Sequence, residues 1–208
     1  MEGDYTHAEA LFDRALKINE ATFGAESADV GASLNLLVEC RLEAGNHTDD
    51  ALARRALAIC ESKGGPHSVD TAAALSNTAK ALQSRGEFDA AEEFLRRALK
   101  IQEAAMGAEH PDTGQAVLAL AQLYQDKGAL DDAELLYCRA LGIYEASFSP
   151  GHRTIIYVRG CAGVPMLLRG ADNGQGRAAV EGARVALLAP PHNLPRSHLW
   201  IRRLSEWV

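Results

Sequence analysis

The sequence predicts an all-α fold, a solenoid of antiparallel helix pairs with a period of about 42 residues. The first observation is a septet, Arg-Ala-Leu-x-Ile-x-Glu, that recurs at offsets of 41, 42 and 42 residues and begins at Arg14, Arg55, Arg97 and Arg139. The second is a glycine that lies ten or eleven residues ahead of each septet. A fixed period in this range indicates a solenoid, because each repeat can bury its apolar face only on its neighbours.

The composition is typical of a soluble, folded protein. Apolar residues make up 47% of the 208 residues, charged residues 24%, and the formal net charge is −7. The acidic balance argues against a nucleic-acid partner, and no apolar run reaches the ~20 residues of a membrane span. The first residues do not resemble a signal peptide, and the four cysteines are far apart. We therefore expect a cytoplasmic protein with reduced thiols and neither a nucleic-acid nor a membrane partner.

The first element is an amphipathic helix from Asp4 to about Phe23. Its apolar residues recur in steps of three and four, at Ala8, Leu11, Ala15 and Ile18. By its place in the period it is the second helix of a repeat whose first helix would lie upstream. We expect either a further N-terminal region or a partner chain to cover residues 4–23, because the apolar stripe otherwise faces water.

Three complete helix pairs follow. The first helices are predicted at Ala28–Ala44, Ser68–Arg85 and Asp112–Lys127, and the second helices at Thr48–Ser62, Phe88–Ala105 and Leu130–Ser147. Each pair turns at a glycine, the residue that accepts a positive φ without a side-chain clash. These structural glycines are Gly45, Gly86 and Gly128, and the same spacing is met at Gly3 and Gly170.

The septet alanines are predicted to lie where two helices cross. A close crossing tolerates only a small side chain, and the same position holds Ala15, Ala56, Ala98 and Ala140. The arginine and glutamate of the septet are interpreted as a solvated or locally paired surface, since surface ion pairs are common and individually weak.

The repeat pattern weakens after Pro150. Residues 153–169 occupy the place of a first helix but include Gly160, Gly163 and Pro165. Proline inside a helix costs about 3 kcal/mol, so this helix is expected to break or kink near Val164.

The domain organisation follows from this change. Residues 1–149 are predicted to form the repeat array, made of the second helix of a truncated repeat and three helix pairs. Residues 150–208 are predicted to form a degenerate fourth repeat and a C-terminal helical cap, with residues 196–208 as a last short helix.

No catalytic or metal-binding constellation is found. Histidines recur in the inter-repeat turns at His67, His110 and His152, but helix spacings of ~8–10 Å keep them too far apart to share a metal ion. Ser68 and Asp70 beside His67 cannot form a nucleophilic triad, and either is better explained as a helix cap. Residues 170–176 are rich in glycine but lack the preceding strand of a phosphate loop. We expect no enzyme activity, no catalytic residue, no metal and no cofactor.

The third helix pair contains the most extended motif of the repeats. It contains His110-Pro111-Asp112-Thr113, then Leu120-Ala121-Gln122-Leu123-Tyr124 before Gly128, and then Ala133-Glu134-Leu135-Leu136-Tyr137 ahead of its septet. This arrangement resembles the tetratricopeptide repeats of kinesin light chains. The resemblance covers about residues 3–148 and implies a right-handed superhelix whose concave groove is lined by the first helices and binds a protein or peptide ligand.

The resemblance also implies candidate binding residues. In light-chain repeats, an asparagine pair on the first helix contacts the backbone of an extended peptide. Only one asparagine survives in each of the first two pairs here, and none in the third. The predicted peptide-binding residues are therefore Asn35, Asn77, Lys80, Gln115 and Gln122.

The sequence thus favours a non-enzymatic protein–protein interaction scaffold, a light-chain-like adaptor that binds a peptide segment in its concave groove. The alternative is a sensor or oligomerisation arm of a larger signalling or nucleotide-binding protein.

Overall fold

Helices account for the regular structure of the part of the chain that can be described. The computed structural model describes residues 3–45, 50–168 and 174–188. Over these residues it contains α1 (Gly3–Phe23), α2 (Ala28–Glu43), α3 (Asp50–Gly64), α4 (Val69–Ser84), α5 (Phe88–Met106), α6 (Pro111–Asp126), α7 (Leu130–Ser147), α8 (Arg153–Leu168) and α9 (Gln175–Leu188). The predicted all-α class and the three helix pairs are confirmed, with helix ends within two residues of the predicted bounds.

The chain forms two compact units, residues 1–105 and residues 106–208. The division predicted after residue 149 stays a prediction. Three predicted features lie outside the described residues: the first two residues of the helix predicted at 48–62, the glycine at position 170 and the helix at 196–208. None of the described helices combines the length and the hydropathy that a membrane span requires.

Local signals define where the first helices start. The Ser27 and Ser68 hydroxyl oxygens accept hydrogen bonds from the amides of Val30 and Thr71 at 3.3 and 3.1 Å. Such caps satisfy an amide that has no carbonyl partner within the helix. The predicted capping role of Ser68 is confirmed.

Histidine takes the place of serine at the start of the next two first helices. The Nδ1 atoms of His110 and His152 accept hydrogen bonds from the amides of Asp112 and Thr154 at 3.2 and 3.3 Å. His110 and His152 therefore recur because the capping position recurs, whereas His67 precedes the Ser68 cap.

Glycine ends the first helices as the period predicted. Gly86 and Gly128 have φ values of 79° and 77°, and the amides of the residues that follow them bond back to Leu82 and Tyr124. This closure satisfies carbonyl groups at the helix end and turns the chain into the second helix.

In the first unit, the core lies between the two helices of each pair and extends into the next pair. Val30, Leu34 and Leu37 of α2 pack on Ala56 and Ile59 of α3. One repeat later, Ala72 and Leu75 of α4 pack on Ala98 and Ile101 of α5. In both pairs, the apolar residues of the septet thus pack against apolar residues of the first helix.

The arginine and glutamate of the septet connect consecutive repeats. Arg55 Nη1 lies 2.9 Å from Glu20 Oε1, and Arg97 Nη1 lies 2.6 Å from Glu61 Oε1. Each pair joins the arginine of one septet to the glutamate of the septet before it. These partly exposed pairs contribute at most about 1 kcal/mol each, so they align neighbouring repeats more than they stabilise them.

Of the two alternatives for α8, the break is wrong, and the kink near Val164 stays a prediction. The helix runs from Arg153 to Leu168 with Pro165 inside it. Its glycine at position 163 is a packing site: a Cβ there would lie 2.7 Å from the Gly176 carbonyl oxygen and 3.0 Å from Ala179 Cβ. The close packing of α8 on α9 within the second unit offsets the cost of the proline, and sequence periodicity alone does not contain that contact.

Candidate functional site

The first helices α2, α4 and α6 leave only a narrow surface open to solvent. Between their first and last turns, every residue is buried except three on each helix, spaced three and four residues apart. We call these sets the α2, α4 and α6 stripes; they consist of Ala32, Leu36 and Glu39, then Ala73, Ser76 and Lys80, then Gln115, Leu118 and Gln122. A ligand that binds these helices side-on can reach only the stripes.

Three of the five predicted binding residues lie on stripes. Lys80 is partly exposed on α4 in the first unit, and Gln115 and Gln122 are on α6 in the second unit. Asn35 and Asn77 are different, since only 7% and 5% of their surfaces are exposed. They lie beneath the α2 and α4 stripes.

The two asparagines link neighbouring repeats of the first unit. Asn77 Nδ2 donates a hydrogen bond to the backbone carbonyl of Asn35 at 3.1 Å. Asn35 Nδ2 in turn donates to the carbonyl of Asp70, also at 3.1 Å. These bonds hold the middle of α4 against α2, so the α2 and α4 stripes lie on adjacent helices.

Asn77→Ala is expected to destabilise the first unit by about 1–2 kcal/mol, because it removes a buried hydrogen bond and leaves a small void. Denaturant unfolding followed by circular dichroism measures the change in the free energy of unfolding. Ser76→Ala, one residue away on the α4 stripe, is the matched control and should change stability by less than about 0.5 kcal/mol. Equal stability of the two variants would mean that the Asn77 bond contributes nothing.

Asn35 also lies against Cys60 of α3. Its Nδ2 atom lies 3.6 Å from Cys60 Sγ, and no described residue donates a hydrogen bond to its buried Oδ1 atom. Burial raises the pKa of the Cys60 thiol, and the Asp70 carboxylate raises it further. The thiol therefore stays protonated at neutral pH and behaves as a packing residue.

Leu36 on the α2 stripe and Lys80 on the α4 stripe are accessible to a ligand. Leu36 is 49% exposed although it lies in the middle of an otherwise buried stretch. Lys80 has no hydrogen-bond or ion-pair partner within the described ranges. An exposed aliphatic group and an unpaired ammonium group on adjacent helices can hold an apolar and an acidic side chain of the same segment.

The sequence did not single out Leu36 and Ser76. The resemblance directed attention to asparagine at these positions, and Asn35 and Asn77 turn out to be the buried members. The exposed members follow a spacing of three and four residues along each helix, a pattern that is present in the sequence but is hidden by the apolar residues around it.

In the second unit, the α6 stripe is partly engaged in packing. Gln122 Nε2 donates a hydrogen bond to the Tyr157 hydroxyl group of α8 at 3.1 Å. Gln115 is exposed and Leu118 is half-buried. Of the two predicted glutamines, Gln115 is therefore the one with a free surface.

No group of three or more His, Cys, Asp or Glu side chains in the described part of the chain could hold a metal ion. The Ser68 hydroxyl group bonds to Thr71 Oγ1 at 2.9 Å and accepts from the Thr71 amide, so its cap geometry occupies it.

Comparisons with known proteins agree with the repeat architecture. Two models of the tetratricopeptide repeat family match the sequence, one over residues 50–104 and 79–146 and the other over residues 2–29. Together they cover more than half of the chain. No curated protein matches the sequence significantly.

Solved structures with the same fold have low sequence identity. BtubC (BKLC) from P. vanneervenii is 22% identical, with a TM-score of 0.69 over 93% of this chain and 77% of its own. A candidate kinesin light chain with nearly identical TPR-like repeats from Podosopora anserina is 20% identical, with a TM-score of 0.63 over 89% of this chain and 88% of its own. A single-substitution variant of the latter protein gives a TM-score of 0.65 over the same shares.

Proposed function

Because this chain belongs to the tetratricopeptide repeat family and its repeats have the fold of the kinesin light chain type, we propose that it is a non-enzymatic adaptor that binds a peptide segment along its first-helix stripes. The repeats make it a protein-interaction scaffold. The peptide ligand and the place where it binds are our proposal.

The observation that carries the proposal is the pair formed by Leu36 and Lys80. Leu36 is 49% exposed on the α2 stripe, and the α4 stripe on the adjacent helix carries Lys80, so an aliphatic group and a cation are presented on neighbouring helices. Lys80 is partly buried, yet no described residue forms a hydrogen bond or an ion pair with it. A segment with an aliphatic side chain and a carboxylate would satisfy both.

The mechanism is binding to a surface that is already formed. The stripes lie on helices whose other faces are buried, and the Asn77–Asn35 hydrogen bond fixes α4 against α2. Little ordering entropy is then lost by the protein when a peptide binds, so a small number of contacts suffices for measurable affinity. The Ser76 hydroxyl group of the α4 stripe can pair with the peptide backbone.

Fluorescence polarisation with a library of labelled peptides tests the proposal. Leu36→Ser and Lys80→Met are each expected to weaken the best hits by roughly tenfold, which is about 1.4 kcal/mol. Replacing the acidic residue of the peptide by its amide should remove the effect of Lys80→Met, because the two changes delete the same ion pair.

Two exposed residues of second helices supply matched controls. Leu135→Ser on α7 and Lys100→Met on α5 change the same residue types outside the stripes and should leave peptide affinity unchanged. Peptide hits that respond equally to stripe and control variants, or to neither, would refute the assignment of the binding surface.

A further inference from the structure

The helix α1 exposes a face that every later repeat buries. Ile18 is 53% exposed, whereas its septet equivalents Ile59, Ile101 and Ile143 are between 0% and 4% exposed. The same contrast separates the exposed Ala15 from Ala56, Ala98 and Ala140, none of which exceeds 1%. Leu11, 53% exposed, extends this surface by two helical turns from Ile18.

This exposure does not mean that α1 is detached. Its opposite side is fixed to the first unit: Leu16 is buried in the core with Leu34, and Asn19 Nδ2 donates to Ser33 Oγ at 2.8 Å. Arg41 also bonds to Glu9 at 2.8 Å. The exposed apolar residues are therefore presented on a fixed helix.

An unpaired arginine borders this surface. Arg55 and Arg97 pair with Glu20 and Glu61, but no residue within 3–45, 50–168 or 174–188 bonds to the side chain of Arg14, the first septet arginine. We call the surface formed by Leu11, Arg14, Ala15 and Ile18 the α1 face. It combines an aliphatic strip with a cation at its edge.

The two complete repeats of the first unit show what covers the equivalent face. In each of these repeats, the segment that covers the septet includes a glutamate seven residues before a capping serine: Glu20 precedes Ser27, and Glu61 precedes Ser68. It supplies a backbone carbonyl two residues before the same serine. Arg55 Nη2 donates to the Ala25 carbonyl at 2.9 Å and Arg97 Nη2 to the Pro66 carbonyl at 3.3 Å.

The helix that follows the serine then makes the apolar contact. Four residues after the cap it carries a small residue, Gly31 or Ala72, and seven residues after the cap a leucine, Leu34 or Leu75. The small residue allows close approach, since a Cβ at Gly31 would lie only 3.0 Å from Ile59 Cγ2. The isoleucine of the septet thus packs against a helix that carries a small residue where the two helices cross.

We propose that the α1 face docks an amphipathic helix of a partner protein that carries this same pattern: a glutamate, a capping serine or threonine seven residues later, then glycine or alanine and leucine. The partner's glutamate would pair with Arg14, and its helix would cover Ala15 and Ile18. The interaction continues the packing by which Glu20 and α2 already cover Arg55, Ala56 and Ile59 of the same unit.

A synthetic peptide tests the proposal directly. Residues 61–85 of this chain contain the whole pattern, and the labelled peptide is titrated with the full chain by fluorescence anisotropy. We expect saturable binding accompanied by a gain of peptide helicity in circular dichroism, because an isolated helix of this length is largely unfolded in water. Ile18→Glu should weaken binding at least tenfold.

A charge exchange tests the assigned partner of Arg14. Arg14→Glu should weaken binding several-fold, and the peptide with Glu61→Arg should bind that variant better than it binds the unchanged chain. Leu135→Glu is the control for an exposed leucine on another second helix and should have no effect. Both Ile18 and Arg14 are exposed, so their variants are expected to fold, which unfolding curves verify.

Two results would overturn this inference. The first is the absence of peptide binding, or binding that is indifferent to Ile18→Glu. The second is self-association of the chain in sedimentation experiments that Ile18→Glu abolishes, which would make a second copy the occupant. The α1 face shares no residue with the stripes, so the outcome is independent of the peptide experiment described above.

Discussion

Ile59→Ala is expected to lower the free energy of unfolding by about 2–5 kcal/mol, whereas Ile18→Ala, at the equivalent septet position, should lower it by less than about 1 kcal/mol. Ile59 is fully buried among Val30 and Leu34, so its removal leaves a cavity. Ile18 is 53% exposed, and most of its side chain already faces water. Guanidinium unfolding followed by circular dichroism compares the two variants with the unchanged chain.

Comparing Ile18→Ala with Ile59→Ala separates the effect of burial from the effect of sequence context, because the two isoleucines occupy the same position in two copies of the septet. Ile101→Ala is a second buried example and should resemble Ile59→Ala, since Ile101 is 4% exposed and packs with Leu75. A large loss of stability with Ile18→Ala would show that α1 is covered in solution. Adding the peptide of residues 61–85 should protect the unchanged chain but not the Ile18→Glu variant.

Gly163→Leu should destabilise the second unit by about 3 kcal/mol, while Gly142→Leu should be neutral or stabilise it by up to about 1 kcal/mol. A side chain at position 163 would meet the Gly176 carbonyl oxygen at 2.7 Å, and a backbone atom cannot move aside without shifting α9. Gly142 is an exposed residue inside α7, and a Cβ added there would meet no neighbouring atom within 4 Å. At that position the gain is the better helix propensity of leucine.

Hydrogen exchange resolves where the effect of Gly163→Leu arises. Faster exchange should concentrate in α8 and α9, with the helices of residues 3–105 unaffected. If Gly163→Leu proved as stable as Gly142→Leu, the close packing of α8 on α9 would not exist in solution, and the predicted break near Val164 would return as the better description of this segment.

The two surfaces identified on this chain differ in what they require of a partner. The stripes of the first helices offer a few exposed groups on a fixed surface, suited to an extended segment with an aliphatic and an acidic residue. The α1 face offers an apolar strip beside Arg14, suited to a helix. A chain that uses both would join two proteins, which is the physical meaning of an adaptor.

Prediction of the site from the sequence was less complete than prediction of the fold. Lys80 and Gln115 lie on the stripes and are accessible, and their role in binding stays a prediction. Asn35 and Asn77 were placed in the right region, but their side chains bond to Asp70 and Asn35 carbonyl groups instead of facing solvent. A difference of one residue along a helix rotates a side chain by about 100°, and only the packing of neighbouring helices decides which of two adjacent residues is buried.

The sequence by itself determined the helices from α1 to α7, their order and their ends. These features depend on residues that are close along the chain: a capping side chain such as Ser68 bonds to an amide three residues later, and Gly86 turns the chain at its own φ angle. The tertiary structure alone decided which chemically equivalent residues are buried. Ile18 and Ile59 stand at the same septet position, and Gly163 resembles a helix breaker until Gly176 lies against it. Burial depends on atoms brought together from distant parts of the chain, and no local pattern records them.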